Sequence, residues 1–456
     1  MTTSRACAPL AILACVLSAA RADEAAILAH LKGYFGTTDV AQRAALVARI
    51  EADPAYERAK LRDWLHAADL FAPVASPPPD HLVTESIELE DHSPRTIEVR
   101  LPRQYDHRRA YPLIYALHGT GGDARGIISY MAKLLGDRLD EFVIAAPEGY
   151  GQFVIYEAGP SDEHTRALAH LRRRFHIDAD RVHLTGYSRG GHGTWTLALM
   201  HADEFASGLA LAGTFNMLGA DALWEEFLPN VRGLPLWTVW GEDDTVGDAG
   251  ENSPQGGIAG LNRKLRAACE KLALPCTFVE LPDVGHGGVV PSAEVVSAWL
   301  AARRVAPQAE SQRSFRWLYQ ARTDWLAGAA WAGSAWEDQQ RFTVEPRPRE
   351  TAQDAFHREL RARLGKLSGR IQGQTIEVRR EHISELTIWL CDGMFDWSQP
   401  LTIKVSGREV FSGNVAPSLA VSLDQAAKSY DFGRLRWAGL QFHGRKKATW
   451  YAPSAR

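Results

Sequence analysis

A serine lies between two glycines at residues 186–190, which read Gly-Tyr-Ser-Arg-Gly. The apolar run RVHLT precedes this motif, and HGTWTLALMHADEF, which has helical potential, follows it. A tight turn from a strand into a helix needs small residues so that the two backbones can approach, and it leaves the serine exposed at the strand end. This context predicts that Ser188 is a nucleophile, although the bare five-residue pattern also occurs by chance in unrelated loops.

A serine hydroxyl needs a base that removes its proton and a carboxylate that orients the base. Residues 276–288, CTFVELPDVGHGG, read as a strand that runs into a loop with one histidine, so His286 is the predicted base. Between the serine and this histidine, residues 234–248 (LPLWTVWGEDDTVGD) read as a strand that runs into an acidic turn. The order serine, acid, histidine is the one that a strand-turn-helix nucleophile requires.

Several acidic residues compete for the orienting role. Asp244 is favoured because it lies just past the turn glycine Gly241 and ahead of Thr245. Solvated turn positions or helix caps are the alternative interpretation of its neighbours. The competing acids are Glu242, Asp243, Asp248 and Asp283.

A second glycine-rich turn follows an earlier predicted strand, in LIYALHGTGGD at 113–123. Glycines allow main-chain N–H groups to point at a negative oxygen that develops during a reaction. The usual second donor is the N–H of the residue after the nucleophile, which is Arg189 here. The sequence therefore predicts an oxyanion site at this turn, with an ordinary glycine-rich turn as the alternative.

The elements that must position these residues alternate between short apolar runs and helical stretches over residues 81–304. This alternation predicts an α/β fold with a doubly wound, mostly parallel sheet and helices on both faces. The helical stretches lie at 164–175, 192–205 and 259–273. The predicted strands are 95–102, 111–119, 141–149, 181–186, 206–213, 234–241 and 276–283.

Two flanking regions differ in character from this catalytic domain. Residues 23–80 predict helices that end in a proline-rich linker at 72–80. Residues 305–456 predict a smaller β-rich accessory domain, with further helix over 313–365 and then antiparallel strands joined by glycine turns.

Residues 1–22 have the pattern of a secretory signal peptide. Arg5 supplies a positive charge, ACAPLAILACVLSAA (6–20) is a short apolar core, and Ala20-Arg21-Ala22 is a small-x-small cleavage site. The pattern predicts a secreted or periplasmic protein whose mature chain begins at Asp23. A buried first helix is the alternative.

The composition is that of a soluble globular protein. The 456 residues exceed one compact core, and 45% of them are hydrophobic and 23% charged. The formal net charge of −4 excludes a large basic field that would attract nucleic acid. After the predicted cleavage site, no apolar run approaches the roughly 18 residues of a membrane span.

Cysteines and aromatic residues leave alternatives open. Cys269 and Cys276 predict either one disulfide or two buried thiols. Tyr150, Phe153 and Tyr156 line a substrate pocket or pack within their own loop. Tryptophans of the C-terminal region would bind polysaccharide if exposed, but a role in the core is favoured. They are Trp317, Trp325, Trp331, Trp336, Trp389, Trp397, Trp437 and Trp450.

Four motifs, LHGTGG, GYSRGGHGTW, GEDDTV and GHGG, resemble in this order those of the α/β-hydrolase serine esterases. The resemblance is closest to secreted poly(3-hydroxybutyrate) depolymerase-like and feruloyl-esterase-like members, and it covers about 95–300. One departure is the Arg after the serine, because relatives often have an apolar residue there, commonly Met. The resemblance implies a nucleophile, an acid, a base and two oxyanion N–H donors, which are Ser188, Asp244, His286, and Thr120 with Arg189.

These observations lead to the expectation of an exported serine hydrolase that cleaves small-molecule or polymeric carboxylic esters through an acyl-enzyme, without cofactor or metal. The acid–histidine clusters at His107 and His164 lack the spacing of metal ligands. A serine peptidase of the prolyl-oligopeptidase type would use the same residues. A glycan- or envelope-binding protein with a vestigial hydrolase domain is the other alternative.

Overall fold

The structure is a computed structural model. It describes residues 24–74, 81–89, 92–148, 163–215, 224–247, 256–305, 307–333, 344–444 and 446–453. The predicted signal peptide, most of the proline-rich linker and Asp248 lie outside these residues. The predicted pocket residues Tyr150, Phe153 and Tyr156 also lie outside them.

Three helices form the N-terminal helical unit, as the apolar spacing predicts. They are α1 (24–35), α2 (Val40–Glu51) and α3 (Leu61–Ala67). Asp39 caps α2, because its carboxylate accepts a hydrogen bond from the N–H of Gln42.

An eight-stranded sheet forms the centre of the α/β unit, residues 81–304. Its strands are β1 (Leu82–Glu88), β2 (Pro94–Arg100), β3 (Tyr111–Leu117), β4 (Val143–Pro147), β5 (Ile177–Tyr187), β6 (Ser207–Leu211), β7 (Leu236–Gly241) and β8 (Cys276–Leu281). The spatial order is β1-β2-β4-β3-β5-β6-β7-β8. The pairs β1–β2 and β2–β4 are antiparallel, and all other neighbours are parallel.

The mostly parallel sheet that the sequence predicts is therefore confirmed, and every predicted apolar run coincides with a strand. The strands β3, β4 and β6 are buried at every residue, because a strand covered on both faces exposes no side chain to water. The edge strand β1 is the one that the runs did not predict. It is only partly buried, so its sequence has no continuous apolar stretch.

Helices cover both faces of this sheet. Along β3, Leu113 and Tyr115 belong to one apolar cluster while Ile114 and Ala116 belong to another, as alternating side chains require. In the described part of the chain, no helix combines the length and apolar composition needed to cross a membrane. The helices are α4 (Ala124–Leu135), α5 (Glu163–Arg174), α6 (Arg189–His201), α7 (Trp224–Phe227), α8 (Gly257–Lys271) and α9 (Ala293–Ala301).

The C-terminal unit, residues 307–453, is β-rich, as predicted. It contains β9 (Glu310–Phe315), β10 (Leu326–Trp331), α10 (Ala352–Arg363), β11 (Gly365–Gln372), β12 (Thr375–Glu381), β13 (Ile383–Cys391), β14 (Leu401–Val405), β15 (Arg408–Gly413), α11 (Leu419–Ser429), β16 (Arg436–His443) and β17 (Thr449–Trp450). One sheet has the order β15-β14-β12-β11-β9, and the other has the order β10-β13-β16-β17.

Two details of the C-terminal prediction are wrong. The strands β12 and β14 pair in parallel, because the chain between them passes through β13, which belongs to the other sheet. The stretch 313–365 also contains the end of β9 and the whole of β10, and its described helix is α10 with one 3-10 turn at Leu318–Gln320. The prediction failed because, in a short Trp-rich stretch, the spacing of the apolar residues is the same for a buried strand and a buried helix.

Most of the C-terminal tryptophans belong to the core. Trp317, Trp325, Trp389 and Trp437 are buried, and Trp331 and Trp397 are half-buried. Trp450 is 40% exposed and packs edge-on against Phe411. Trp336 lies outside the described residues.

The N-terminal helical unit packs against the C-terminal unit. Ile27, Leu31 and Leu65 share one apolar cluster with Leu419 and Leu423 of α11. The two ends of the chain therefore form a common core, although nearly the whole α/β unit separates them in the sequence.

Buried ion pairs join the C-terminal unit to the end of α6. Asp203 follows this helix and accepts from Arg313 at 2.9 Å and from Arg322 at 3.2 Å, while Arg434 lies 3.6 Å away. Arg313 also donates to the main-chain oxygen of Leu199 at 2.6 Å. The helix that begins beside Ser188 is thus held at its other end by arginines of the C-terminal unit.

Cys269 and Cys276 are free thiols in the structure, which corresponds to the second of the two alternatives. The neighbouring Cys269 thiol and burial raise the pKa of Cys276. Burial raises the pKa of Cys391 to about 12. Both groups are therefore protonated at neutral pH.

Candidate active site

Ser188 occupies the sharp turn between β5 and α6. Its backbone has φ 57° and ψ −116°, a region that residues with a side chain rarely adopt and that costs on the order of 1–3 kcal/mol. The main-chain N–H of Ser188 donates to the main-chain oxygen of Leu211 at 2.8 Å, and the main-chain oxygen of Ser188 accepts from the N–H of His192 at 3.0 Å. These bonds hold the strained turn, which presents the hydroxyl at the carboxyl end of the sheet.

Two glycines make this turn possible, as the sequence predicts. A Cβ at Gly186 would lie 2.2 Å from the oxygen of Gly190, and a Cβ at Gly190 would lie 2.0 Å from the oxygen of Leu117. Both contacts are with backbone, which cannot move aside as a flexible side chain can. Only glycine therefore lets α6 approach β3 this closely.

The structure brings Ser188, His286 and Asp244 together. His286 Nε2 lies 2.8 Å from Ser188 Oγ, and His286 Nδ1 lies 2.8 Å from Asp244 Oδ2. Since the carboxylate accepts from Nδ1–H, Nε2 is left to accept the serine proton. The carboxylate is fully buried, whereas the imidazole is 26% exposed.

Local backbone geometry selects Asp244 among the competing acids. A Cβ at Gly241 would lie 2.0 Å from the oxygen of Val284, so the glycine allows the β7 turn to lie against the histidine loop. Asp244 Oδ1 accepts a further bond from the N–H of Val246 at 3.2 Å, which orients the carboxylate. The other described candidates are exposed: Glu242, Asp243 and Asp283.

The glycine-rich loop after β3 runs directly beside Ser188. A Cβ at Gly119 would lie 3.3 Å from Ser188 Cβ and 3.9 Å from its Oγ. The N–H of Thr120 donates no hydrogen bond to any described residue. Arg189 is the first residue of α6, where an N–H has no acceptor within the helix. Both N–H groups are therefore available to an external oxygen.

Sequence reasoning missed two tyrosines that hold the histidine loop. Tyr187 donates its hydroxyl to the main-chain oxygen of His286 at 2.6 Å, and Tyr130 donates to the oxygen of Val289 at 3.2 Å. Burial raises the pKa of both, that of Tyr130 to about 12, so both hydroxyls remain donors at neutral pH. The signal for Tyr187 was its place in the motif, directly before the serine.

Two further histidines near the nucleophile were also missed. The ring nitrogens of His118 lie 2.9 Å from the oxygen of Gly119 and 3.0 Å from that of Glu148, so the ring joins the glycine-rich loop to the end of β4. His192 lies one helical turn after Ser188, and its Nδ1 lies 2.7 Å from the main-chain oxygen and 3.2 Å from the main-chain nitrogen of Thr214. Burial lowers the pKa of His192, which keeps this ring neutral.

The described residues of the site supply nucleophilic and acid–base groups. Across the described ranges, no three His, Cys, Asp or Glu side chains are grouped so as to hold a metal ion. A cavity of about 360 Å³ lies elsewhere, between the α/β unit and the C-terminal unit, where Arg232, Gln308 and Arg379 are among its lining residues.

Comparison with known proteins finds one family similar to part of the α/β unit. Residues 90–259 match the family model described as "Putative esterase". This segment includes the strand-turn-helix around Ser188 and the turn that carries Asp244, and it ends before His286. No curated protein matches the chain.

Solved structures with a similar fold include esterases of low sequence identity. A thermostable esterase is 17% identical to this chain, with a TM-score of 0.38. The match covers 49% of this chain and 64% of the esterase, which is slightly less than two thirds of the length of the esterase. A ferulic acid esterase is 19% identical with a TM-score of 0.37, over 45% and 90% of the two chains. A mutant of the feruloyl esterase module from Clostridium thermocellum, in complex with sinapinate, is 16% identical with a TM-score of 0.34, over 47% and 87%. The α/β unit of this chain is therefore similar to the putative esterases over residues 90–259.

Proposed function

We propose that this protein is an exported hydrolase that cleaves carboxylic esters, with Ser188 as nucleophile, His286 as general base and Asp244 as the acid that orients the base. The observation that carries the proposal is the hydrogen-bonded series of Ser188 Oγ, His286 and Asp244, with 2.8 Å at each contact. Its chain order and its position at the carboxyl end of a parallel sheet support the same roles.

In the first half of the reaction, His286 Nε2 takes the hydroxyl proton while Ser188 Oγ attacks the ester carbon. The carbonyl oxygen becomes an anion, which the N–H groups of Thr120 and Arg189 stabilise. The bond to the alcohol oxygen then breaks, and this oxygen takes the proton from His286 as the alcohol leaves. An acyl group remains on Ser188.

In the second half, a water molecule attacks the acyl group, and Ser188 is the leaving group. His286 takes a proton from the water as its oxygen attacks the acyl carbon, and Ser188 recovers the proton when the acid leaves. Asp244 keeps Nδ1 protonated and stabilises the imidazolium that forms in both halves. The sum is one ester and one water converted into one acid and one alcohol.

Hydrolysis of p-nitrophenyl acetate and butyrate by the mature protein tests the proposal. Ser188→Ala should lower kcat on the order of 10⁶-fold, and Asp244→Asn on the order of 10⁴-fold. Asp243→Asn is the matched control, because Asp243 lies in the same turn but is exposed. Equal activity of Ser188→Ala and wild type would overturn the proposal. A panel of aminoacyl p-nitroanilides, cleaved faster than the esters, would favour the peptidase alternative.

The proposal of export rests on the pattern of residues 1–22. The first described helix begins at residue 24, next to the predicted cleavage site, and Ile27 and Leu31 on it are fully buried. Mass spectrometry of protein recovered from outside the cytoplasm should find Asp23 at the N-terminus. A chain that retains Met1 would contradict the prediction.

Polysaccharide binding by the C-terminal unit stays a prediction. Most of its described tryptophans are buried and so cannot contact a polysaccharide. Trp450 is 40% exposed and packs against the half-buried ring of Phe411, with ring centroids 5.0 Å apart, so Trp450 is a candidate for stacking on a sugar ring. Trp450→Ala should then lose retention on a polysaccharide column, with Phe356→Ala, another partly exposed ring, as the control.

A further inference from the structure

The side chain of Arg189 lies beside the glycine-rich loop of the candidate active site. Its Nε donates to Thr120 Oγ1 at 3.4 Å. Among the described residues, neither Nη group has a hydrogen-bond or ion-pair partner, and the side chain is partly exposed. A guanidinium in this state presents two parallel N–H groups, the geometry that a carboxylate accepts in a bidentate manner.

The position of Arg189 favours one side of the site. In the sheet, β3 with its Thr120 loop lies on one side of β5, whereas β7 and β8, which lead to Asp244 and His286, lie on the other. Because its Nε contacts Thr120, the guanidinium lies on the β3 side. The exposed acids Glu242, Asp243 and Asp283 follow β7 and β8. The β3 side also carries an exposed acid, Asp123, whose carboxylate caps α4, and Arg189 is the cation that contacts Thr120 there.

The chemistry of the reaction assigns each side to a part of the substrate. The leaving alcohol takes its proton from His286 Nε2, so the alcohol lies on the side of β7 and β8. The acyl chain leaves the carbonyl carbon in a different direction from the alcohol, and the carbonyl oxygen on the same carbon meets the glycine-rich loop. The acyl chain is therefore the part of the substrate that can reach the β3 side. An acyl chain with a terminal carboxylate would place this charge near Arg189 and away from the acidic turns.

We propose that Arg189 is a specificity-determining residue that binds a carboxylate on the acyl part of the substrate, so that the preferred substrates are monoesters of short dicarboxylic acids or of similar acyl groups that end in a carboxylate. The inference rests on the proposed ester hydrolysis at Ser188. The helix N-terminus at Arg189 adds to the attraction for an anion but does not define the site, since the Nη groups, which have no partner among the described residues, supply the directional bonds.

Matched pairs of ethyl esters test the inference. Monoethyl succinate, glutarate and adipate carry a terminal carboxylate, and ethyl butanoate, pentanoate and hexanoate are their neutral counterparts. The measured quantity is kcat/KM of the acidic ester divided by kcat/KM of its neutral counterpart. Hydrolysis is measured as release of ethanol. The wild type should favour the acidic member by about tenfold or more at the best chain length, and added salt should reduce this ratio.

Substitutions of the side chain separate charge from other effects. The Arg189 N–H is also part of the proposed oxyanion site, so the ratio within each pair is compared rather than the absolute rate. Arg189→Met should bring the ratio to one or below, and Arg189→Lys should leave an intermediate value. Arg109→Met is the control, because Arg109 is exposed just before β3, at the opposite end of that strand from Thr120.

A direct binding measurement gives a second readout. Calorimetric titration of the Ser188→Ala variant with monoethyl glutarate should show binding that Ser188→Ala with Arg189→Met lacks. A wild type that hydrolyses neutral esters without preference for the acidic partner, or whose preference survives Arg189→Met, overturns the inference and leaves the proposed function intact. A wild type that hydrolyses no ester and whose Ser188 resists a fluorophosphonate overturns the proposed function instead.

Discussion

The hydroxyl of Tyr187 donates to the main-chain oxygen of His286 at 2.6 Å. The residue before Ser188 therefore holds the backbone of His286, which is distant in the sequence. This bond joins the end of β5 to the loop after β8, although β6 and β7 lie between them in the sheet. It restricts the histidine loop independently of the bond between the imidazole and Asp244.

Tyr187→Phe removes this bond and keeps the ring. A hydrogen bond of this kind contributes about 0.5–1.5 kcal/mol, so kcat should fall by about 3- to 10-fold while KM changes little. Steady-state kinetics with p-nitrophenyl butyrate measures the change. Tyr130→Phe is the matched control, because its hydroxyl bonds to Val289 rather than to His286, and its kcat should fall less. Equal losses in both variants would mean that the bond to His286 has no special role.

Gly190→Ala tests the close contact of α6 with β3. The new Cβ would lie 2.0 Å from the oxygen of Leu117, so strand and helix must separate. We expect a loss of about 2–4 kcal/mol in the free energy of unfolding, together with a loss of esterase activity. Urea unfolding measures the first quantity. Gly287→Ala is the control, because a Cβ at Gly287 meets nothing within 4 Å. This variant should change the free energy of unfolding by less than about 0.5 kcal/mol.

Asp203→Asn tests the buried ion pairs between the α/β unit and the C-terminal unit. The cations around Asp203 hold the pKa of its carboxyl well below its usual range, even though burial opposes this. Replacement leaves Arg313 and Arg434 buried with less opposite charge, which should cost about 3–5 kcal/mol of stability. The exposed pair of Glu310 and Arg370 is the control, since Glu310→Gln should cost less than about 1 kcal/mol. Similar losses in both variants would show that burial of the pairs does not matter.

A histidine pair at the contact of α3 with the α/β unit predicts sensitivity to acid. His66 Nδ1–H donates to His176 Nε2 at 2.9 Å, and His176 Nδ1–H donates to the oxygen of His107 at 3.0 Å. Burial lowers the pKa of His176 to about 4 and also lowers that of His66. Between about pH 6.5 and pH 4 the unfolded chain binds protons that the folded chain excludes, so stability falls as the pH falls through this window.

The free energy of unfolding in urea, measured from pH 7 to pH 4, checks this prediction. His176→Phe should be less stable than wild type at pH 7 but should lose less stability on acidification. His92→Gln is the control, because His92 is highly exposed and should leave the slope unchanged. A slope that His176→Phe does not alter would assign the acid sensitivity to other buried histidines, of which His164 and His183 have pKa values lowered to about 4 and about 3.

Much of the α/β fold could be predicted because its information is local. Buried parallel strands appear as apolar runs, and glycines mark the turns that follow them, so seven of the eight strands were found. The edge strand β1 lacked an apolar run since half of it faces solvent. The parallel pairing of β12 with β14 and the shared core of α11 with the N-terminal helices depend on contacts between distant segments, which no local pattern encodes.

The sequence by itself determined which reactive groups the chain contains, their order, and the strand ends on which they lie. Only the tertiary structure decided that Asp244, rather than a neighbouring acid, faces His286, that Tyr187 holds the histidine loop, and that the terminal nitrogens of Arg189 have no described partner. The physical reason is that spacing along the chain sets local backbone conformation, whereas hydrogen bonds and ion pairs between loops depend on how the sheet brings their ends together in space.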